Sequence, residues 1–404
     1  MPIPTPFQSR TAALCTSMRW KDWAGYHAVC AYDSYHEREY FAIRHAAGLI
    51  DVTPLHKYEV CGRDAAAFLA RLMVRDVSKL PAGRVAYLCW CDEHGKIIDD
   101  GTVSRFDDAR FRVTSTEPAL AWLLRHADGY ELTIEDSSAT IAALALQGPN
   151  ARDILQEISD GEIGSLRWFG TTEARIRGGR TGRMRIKARI SRTGYTGDLG
   201  YEIWVDNKRA TALWDALLAA GKRYGLQPAG LDALDMTRIE AGFILNGVDY
   251  FPAQRCLIES RKSSPYELGL GWTVNLDREP FNGQAALRAE RQRGSAWALV
   301  GLEYDWDELE ALYAEHGLPA EICSSAWRRA VPVYEPTADT QVGYATSGTW
   351  SPLIKKNIAL ASVHARFGQI GTRLEIETTV EFVRRRVTAT VVRKPFFDPE
   401  RKRA

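Results

Sequence analysis

Strand hairpins alternate with short helices between residues 57 and 158, and this alternation constrains the fold more than any other feature of the sequence. Arg84–Cys91 and Lys96–Phe106 have the composition of two strands joined by a short turn. Lys57–Cys61 also alternates as a strand, whereas Asp64–Val74 has the 3.6-residue apolar spacing of a helix. A doubly wound parallel sheet would need a helix between successive strands, so we predict an α+β fold. The sequence also lacks a GxGxxG or P-loop motif, which disfavours a nucleotide-binding fold.

The pattern changes in the last third of the chain. Residues 302–330, acidic and then rich in Trp and Arg, look like an insertion, and short strands with glycine turns follow from Val331 onward. We therefore predict a β-rich C-terminal domain over residues 295–404. The preceding chain is divided into residues 1–150, in which two domains interleave, and residues 151–294, which complete the α+β core.

Composition and charge exclude several classes of function. The chain has 404 residues, of which 45% are hydrophobic and 25% charged, with a net charge of +1. Near-neutral charge gives no reason to expect nucleic acid or an acidic membrane as a partner, and the N-terminus has no apolar run of a signal peptide or span. The seven cysteines are scattered and form no CxxC motif. This pattern predicts reduced thiols in a cytoplasmic protein and no metal site.

One stretch, Ile190–Val205, combines a glycine-rich turn with an aromatic and β-branched strand. The turn contains Tyr195 and Asp198, and the strand carries Glu202 near its start. Glycines let a backbone approach a ligand closely, and a carboxylate just after such a loop can hold a flat heterocycle. The alternative is a tight hairpin with a solvent-exposed glutamate.

Asp99 and Asp100 lie within an apolar strand pattern. Adjacent strand residues face opposite sides, so we expect at most one of these acids to point into the protein. A buried acid there would contact a polar ligand atom or a cationic group, because an unpaired buried charge is costly. The alternative is an edge strand with two solvated acids.

Two further polar clusters are open to more than one interpretation. In the predicted helix Gly230–Gly242, Asp235 and Arg238 form an i,i+3 pair, which either stabilises the helix surface or clamps the interior. Lys355 and Lys356 follow a polar turn that either holds a carboxylate tail or is solvated. The sequence contains no GxSxG, HxH or HExxH motif.

Eight segments, taken in order, resemble the glycine-cleavage T-protein (aminomethyltransferase) family of tetrahydrofolate-dependent enzymes. They are GLIDVT, GKIIDD, LALQGPNA, GYTGDLGYEIWV, GLDALDMTRIEAG, ELGLGWTV, FNGQ and TSGTWSP with KKNIAL. The resemblance covers nearly the whole chain. It implies a three-domain ring around a central folate pocket, a C-terminal β-barrel domain and tetrahydrofolate as the cofactor.

The resemblance also assigns site residues. Glu202 matches the pterin-binding glutamate, since a carboxylate can accept hydrogen bonds from the 2-amino group and the ring N–H together. Asp99, the first of the aspartate pair, matches the catalytic aspartate near folate N5. Tyr87, Tyr195 and Asp198 match positions close to the pocket.

One departure bears on the donor of the one-carbon unit. Leu234 stands where the family has a folate-contacting arginine, and Arg238, Lys355 and Lys356 are the candidates to replace that cation. Our leading hypothesis is an enzyme that moves a methyl or methylene group from a small-molecule donor to tetrahydrofolate, as demethylase relatives do. The alternative is the glycine-cleavage T-protein reaction with lipoylated H-protein, and a non-enzymatic folate-binding protein is less favoured. The donor, the transferred group and the oligomeric state stay open.

Overall fold

The computed structural model describes residues 1–179 and 182–404, which form two compact units. The first unit contains Met1–Leu88, Asp99–Leu234 and Pro399–Ala404. The second contains Cys89–Ile98 and Asp235–Asp398. The predicted division into 1–150, 151–294 and 295–404, and the ring arrangement, stay predictions.

Helices are short throughout the described chain. They are α1 Gln8–Leu14, α2 Glu37–His45, α3 Ala65–Leu72, α4 Leu120–Arg125, α5 Ala151–Ile158, α6 Ala210–Gly221, α7 Leu231–Glu240, α8 Gln284–Arg293 and α9 Trp306–Ala314. Helix α7 begins in the first unit and ends in the second.

Two large antiparallel sheets contain most of the strands up to residue 228, and the strands at 84–91 and 97–105 belong partly to the first unit and partly to the second. The strands are β1 Arg19–Trp23, β2 Tyr26–Ala31, β3 Ala47–Asp51, β4 His56–Gly62, β5 Arg84–Cys91, β6 Ile97–Arg105, β7 Arg110–Ser115, β8 Leu132–Asp136, β9 Ile141–Gln147, β10 Thr171–Gly178, β11 Met184–Ser191, β12 Gly200–Asp206 and β13 Leu226–Pro228. One sheet has the order β10-β11-β12-β9-β3-β13, with only β13 parallel to its neighbour, and the other has the order β5-β6-β7-β4-β8. Strands β1 and β2 form a separate hairpin.

The core of the first unit lies between the six-stranded sheet and two helices. Strand β9 is buried along almost its whole length, as its apolar run predicts for a central strand. Helix α6 contributes Leu213, Trp214 and Leu217, which share one face at helical spacing, and α5 adds Ile154 and Leu155. This packing fixes β12, the strand that carries Glu202, between β9 and β11.

The second unit contains a closed six-stranded barrel. Its strands are β14 Trp297–Tyr304, β15 Val331–Glu335, β16 Thr340–Ser351, β17 Lys356–His364, β18 Arg373–Val380 and β19 Val383–Val392. They close in the order β14-β17-β16-β15-β18-β19, and β14 pairs with β19. Alternate residues such as Leu374 and Ile376 fill the interior. The predicted α+β class and C-terminal barrel are confirmed.

Candidate functional site

A small cleft opens on the first unit, where residues from the two large sheets meet. Strands β5, β6 and β7 contribute to one side, and β10, β11 and β12 to the other. Its lining residues are Val85, Thr102, Ser104, Phe106, Arg112, Thr114, Thr171, Arg189, Ser191, Glu202 and Trp204. The cleft therefore contains the glutamate that the sequence singled out.

Glu202 is a partly exposed carboxylate that two hydroxyl side chains support. The Thr193 Oγ1 hydroxyl donates to Glu202 Oε2 at 2.6 Å, and Ser191 lies directly opposite on β11. Burial raises the pKa of Glu202 above its ordinary value of 4.5, and the Thr193 and Ser191 hydroxyls oppose that rise only in part. A desolvated carboxylate of this kind is well suited to accept hydrogen bonds from a ligand with two adjacent donors. The hairpin of the alternative interpretation is present, because β11 and β12 pair antiparallel across this turn, but its glutamate is only partly exposed.

The glycine-rich turn before Glu202 wraps around the buried side chain of Gln147. A Cβ atom at Gly194 would lie 2.0 Å from Gln147 Oε1, and one at Gly200 would lie 2.3 Å from Gln147 Cδ. The Thr196 hydroxyl donates to Gln147 Oε1 at 2.8 Å, and Gln147 Nε2 donates to the Thr193 carbonyl at 3.2 Å. These two glycines are therefore required by a protein side chain, and Gln147 is a positioning residue that the sequence analysis missed.

Asp198 and Tyr195 lie in this turn, but neither lines the cleft. The Asp198 carboxylate, which is fully buried, accepts two hydrogen bonds from Arg401 at 2.7 and 2.8 Å and lies 3.5 Å from Arg44 Nη1. Tyr195 is half-buried. Asp198 thus ties the turn to the C-terminal residues of the same unit, and a ligand-binding role for either residue stays a prediction.

Both aspartates of the Asp99–Asp100 pair are buried, at 1% and 8% exposure. The expectation that at most one would point inward is wrong, because residues 97–100 of β6 are all buried and both faces of the strand are therefore covered there. The edge-strand alternative is wrong because β6 lies between β5 and β7. The Asp99 carboxylate accepts hydrogen bonds from the backbone N–H groups of Asp100, Thr116 and Glu117 at 2.9 to 3.1 Å.

Asp100 differs from Asp99 in its partner and in the face it occupies. Its Oδ2 accepts a hydrogen bond from the Tyr87 hydroxyl at 2.8 Å. Strand residues two apart share a face, so Asp100 lies on the same face of β6 as Thr102 and Ser104, which line the cleft. Asp99 lies on the opposite face. The geometry therefore brings Asp100 and Tyr87 to the side of the sheet that also bears the cleft.

Arg238 is fully enclosed within the second unit. Its Nε donates to Asp235 at 2.7 Å, its Nη1 to Asp249 at 2.7 Å and its Nη2 to the Ser347 hydroxyl at 2.8 Å. Burial opposes the charge on Asp235, but Arg238 and Arg328 together hold the pKa of that carboxyl below 3.8. The helix-surface interpretation is wrong, and the internal clamp is confirmed.

The two lysines that could replace the missing cation are exposed residues of the second unit. Lys356 forms an ion pair with Glu303 on β14. Lys355 lies in the turn before β17, where its backbone N–H donates to the Ser351 carbonyl at 2.8 Å. Neither residue lines the cleft that contains Glu202.

A second small cleft in the first unit contains none of the predicted site residues. Its acid, Asp51, accepts hydrogen bonds from the Thr5 hydroxyl at 2.6 Å and from Thr53 N at 3.0 Å. Because the chain itself satisfies this carboxylate, we take the Glu202 cleft as the candidate site.

Across residues 1–179 and 182–404, no group of three or more His, Cys, Asp and Glu side chains is arranged to hold a metal ion. Within the same ranges, no helix has both the length and the apolar character needed to cross a membrane.

Comparisons with known proteins cover almost the whole chain. The family model described as the GCVT N-terminal domain matches residues 7–278, and that of the glycine cleavage T-protein C-terminal barrel domain matches residues 299–398. An aminomethyltransferase of Caldanaerobacter subterraneus subsp. tengcongensis is 35% identical over 361 residues, which is 88% of this chain and 87% of the relative. One from Geobacillus thermodenitrificans is 36% identical over 366 residues, or 89% and 90% of the two chains.

A solved structure shares the fold. The glycine cleavage system aminomethyltransferase T from Bartonella henselae superimposes with a TM-score of 0.81 over 98% of this chain and 99% of its own, at 23% identity.

Proposed function

Since the chain belongs to the glycine-cleavage T-protein (aminomethyltransferase) family, we propose that it transfers the carbon of an aminomethyl group on lipoylated H-protein to tetrahydrofolate. The nitrogen would leave as ammonia and the lipoyl arm as a free thiol. The relatives favour this reaction over the small-molecule demethylase hypothesis. The observation that carries the proposal is the desolvated Glu202 carboxylate in the cleft of the first unit. All seven cysteines lie in the described ranges and are free thiols, which agrees with the reducing cytoplasm in which we place the reaction.

Glu202 fits the pterin ring on chemical grounds. The 2-amino group and ring N–H of a pterin are adjacent donors, and one carboxylate can accept from both. The hydroxyls of Thr193 and Ser191 fix the carboxylate from the protein side. Tetrahydrofolate supplies the nitrogen N5 to which the one-carbon unit becomes attached. Glu202 would orient the ring so that this nitrogen meets the donor carbon in a reactive geometry.

The aspartate pair supplies the candidate acid–base group. The resemblance assigns this role to Asp99, and that assignment stays a prediction. The structure supports Asp100 as a second candidate, because Asp100 shares its strand face with cleft residues and is oriented by the Tyr87 hydroxyl. In either case the carboxylate would hold a proton of the reacting amine or stabilise positive charge at the transferred carbon.

The demethylase hypothesis keeps one specific observation in its favour. Leu234 replaces the family arginine, and Arg238, the nearest candidate in sequence, is enclosed by its own protein partners. A donor other than a lipoyl arm on a carrier protein is therefore the second candidate.

The deciding assay supplies tetrahydrofolate together with either aminomethyl-loaded, lipoylated H-protein or a panel of small methylated donors. We expect turnover with H-protein. Turnover only with a small donor would replace the aminomethyltransferase proposal by the demethylase one. Tetrahydrofolate binding by Glu202→Gln, with the exposed Glu135→Gln as a matched control, tests the shared premise. We expect the Glu202 variant alone to lose about tenfold or more in affinity; unchanged affinity would remove Glu202 from the site.

A further inference from the structure

Two arginine side chains form part of the cleft wall beside Glu202. The guanidinium carbon of Arg189 lies 3.8 Å from the centroid of the Phe106 ring, and that of Arg112 lies 5.3 Å from the same centroid. Arg112 also lies 5.6 Å from the centroid of Trp204. Arg112, Arg189, Phe106 and Trp204 all line the cleft. Stacking on aromatic rings fixes the planes of both guanidinium groups and leaves their edges to form hydrogen bonds.

Among the described residues, each arginine forms an ion pair with one acidic side chain. Arg112 Nε donates to Glu59 at 2.6 Å, and Arg189 Nη2 donates to Glu173. The remaining guanidinium nitrogens of both residues have no hydrogen-bond partner within the part of the chain that the structure describes. The Arg112 side chain is 10% exposed and that of Arg189 is 16% exposed. Two nearly buried guanidinium groups thus retain donor capacity inside a cleft.

Electrostatics favours an acceptor in this place. Burial lowers the pKa of Arg189, and the positive charges of Arg112 and Arg110 add to this effect, while Glu173 opposes it. A ligand oxygen placed against these groups would relieve both the desolvation and the repulsion between like charges.

Strand register places Arg189 close to a ligand held by Glu202. On β11 and β12, Ser191 pairs with Glu202 and Arg189 pairs with Trp204. Arg189 is therefore the diagonal neighbour of Glu202 on the cleft face, at a typical distance of about 7–8 Å between such positions. A long arginine side chain spans that distance.

The hydrogen-bonding edge of a pterin requires a third contact beyond the two that Glu202 can make. Along this edge the 2-amino group and N3–H are donors, and the 4-oxo oxygen next to them is an acceptor. A carboxylate satisfies the donors and repels the oxygen, so the oxygen needs a donor of its own. We propose that Arg189, with Arg112 beside it, donates to the 4-oxo oxygen, so that Glu202 and the arginine pair together recognise the whole edge. This inference rests on the proposed function.

Recognition of this kind selects one class of pteridine. A 4-oxo pteridine presents its N3–H to Glu202 and an acceptor to the arginine pair. In a neutral 4-amino pteridine N3 carries no proton, and the 4-amino group faces the arginine pair as a donor. A site built to hydrogen-bond one group discriminates strongly against an analogue that lacks it, because its own buried polar group is then left without a partner. The arginine pair is therefore a specificity determinant of the cleft.

The test compares the binding of two ligands to the wild type and to matched variants. The dissociation constants of tetrahydrofolate and of 4-amino-4-deoxytetrahydrofolate are measured for the wild type, Arg189→Gln and Lys187→Gln. Lys187 is an exposed neighbour on β11 that also pairs with Glu173, so its variant loses a Glu173 partner without losing a cleft donor. We expect Arg189→Gln to weaken tetrahydrofolate binding by about 10- to 100-fold, and binding of the 4-amino compound by less than about threefold. Lys187→Gln should change neither constant.

Retained binding of the 4-amino compound also shows that Arg189→Gln is folded. Equal losses for both ligands would overturn the inference, because the arginine would then act only on the structure of the cleft. Unchanged affinity for both ligands would overturn it as well. If Arg189→Gln does not fold, Arg189→Lys keeps the charge without the planar fork, and the ratio of the two constants is read from that variant. This inference alone would be refuted if Glu202→Gln lost affinity for tetrahydrofolate but the arginine variants left the ratio of the two dissociation constants unchanged. Unchanged affinity in Glu202→Gln would refute the pterin assignment itself.

Discussion

Glu202 in the first unit and Arg238 in the second are both charged residues that sequence motifs singled out, yet their surroundings differ. Glu202 has hydroxyl neighbours on its protein side and an open cleft on the other, and burial raises its pKa. Arg238 has protein partners on all three guanidinium nitrogens, two of them carboxylates. The comparison teaches that a charged residue in a sequence motif is a candidate for ligand binding only where the rest of the chain leaves some of its hydrogen-bonding capacity unused.

The largest effect that we expect comes from removing the enclosed charge. Arg238→Met leaves Asp235 and Asp249 buried without their common cation, so we expect the free energy of unfolding to fall by about 3–5 kcal/mol. Denaturant unfolding measures this loss. Arg328→Gln, which removes only the partly exposed partner of Asp235, is the control and should cost less than about 1 kcal/mol. Equal losses in the two variants would contradict the assignment of Arg238 as a clamp.

The neighbouring aspartates allow the same contrast within one strand. Asp99→Asn places an amide group against three backbone N–H donors, and we expect a loss of about 1–3 kcal/mol in stability. Asp100→Asn keeps an acceptor for the Tyr87 hydroxyl, so we expect normal folding with reduced turnover. Thermal unfolding and the transfer assay separate the two effects. Normal turnover in Asp100→Asn together with inactive but stable Asp99→Asn would return the catalytic role to Asp99.

Lys57 is an enclosed cation whose ammonium group, among the described residues, hydrogen-bonds to backbone carbonyls rather than to carboxylates. It is fully buried, and its Nζ donates to the carbonyls of Thr53 and Leu55 at 2.6 and 2.7 Å. Burial lowers its pKa from 10.5 to about 7. Between these values the unfolded chain binds the extra proton, so the stability of the folded state should rise with pH over this range.

The corresponding measurement compares wild type with Lys57→Met between pH 7 and pH 9. We expect the unfolding free energy of the wild type to rise more steeply with pH than that of Lys57→Met, by at most about 1.4 kcal/mol per pH unit. The exposed Lys187→Met is the control. Parallel slopes in Lys57→Met and wild type would show that Lys57 keeps its proton in the folded state.

The smallest effect should come from Glu202. Its folded-state pKa is raised, so its charge costs stability above pH 4.5, the ordinary pKa, and costs nothing below it. Glu202→Gln keeps an acceptor for Thr193, and we expect it to raise the unfolding free energy near pH 7 by up to about 1 kcal/mol. The gain should disappear as the pH falls below about 4. A loss of stability at pH 7 would show that Glu202 serves the fold rather than a ligand.

Local sequence patterns predicted the classes of structure well. Alternation and helical spacing are local properties, so the α+β class and the barrel strands after Val331 could be predicted. The ordered motifs predicted the family, an enzyme of the transferase class and tetrahydrofolate as its cofactor, and the comparisons confirm all three. Unit membership could not be predicted, because residues 399–404 and 89–98 each join residues distant in sequence.

The candidate site could be predicted only in part. The strand of Glu202 was evident from its residues, but the stacking of Arg112 and Arg189 on Phe106 depends on how two sheets meet. The burial of both Asp99 and Asp100 depends on the covering of each face of β6, which alternation along one strand does not reveal. In each case the missing information lies in pairings between distant strands.

The close packing of Gly194 and Gly200 on Gln147 has a consequence for how such a sequence can change over time. A methyl group at either glycine collides with the Gln147 side chain, so alanine fits there only after Gln147 has been replaced by a smaller residue. That prior change removes the amide that holds Thr193 and Thr196. We therefore expect substitutions to be ordered, with a change at Gln147 preceding any alanine at Gly194 or Gly200, so the shape of the turn before Glu202 depends on a residue 55 positions upstream of Glu202.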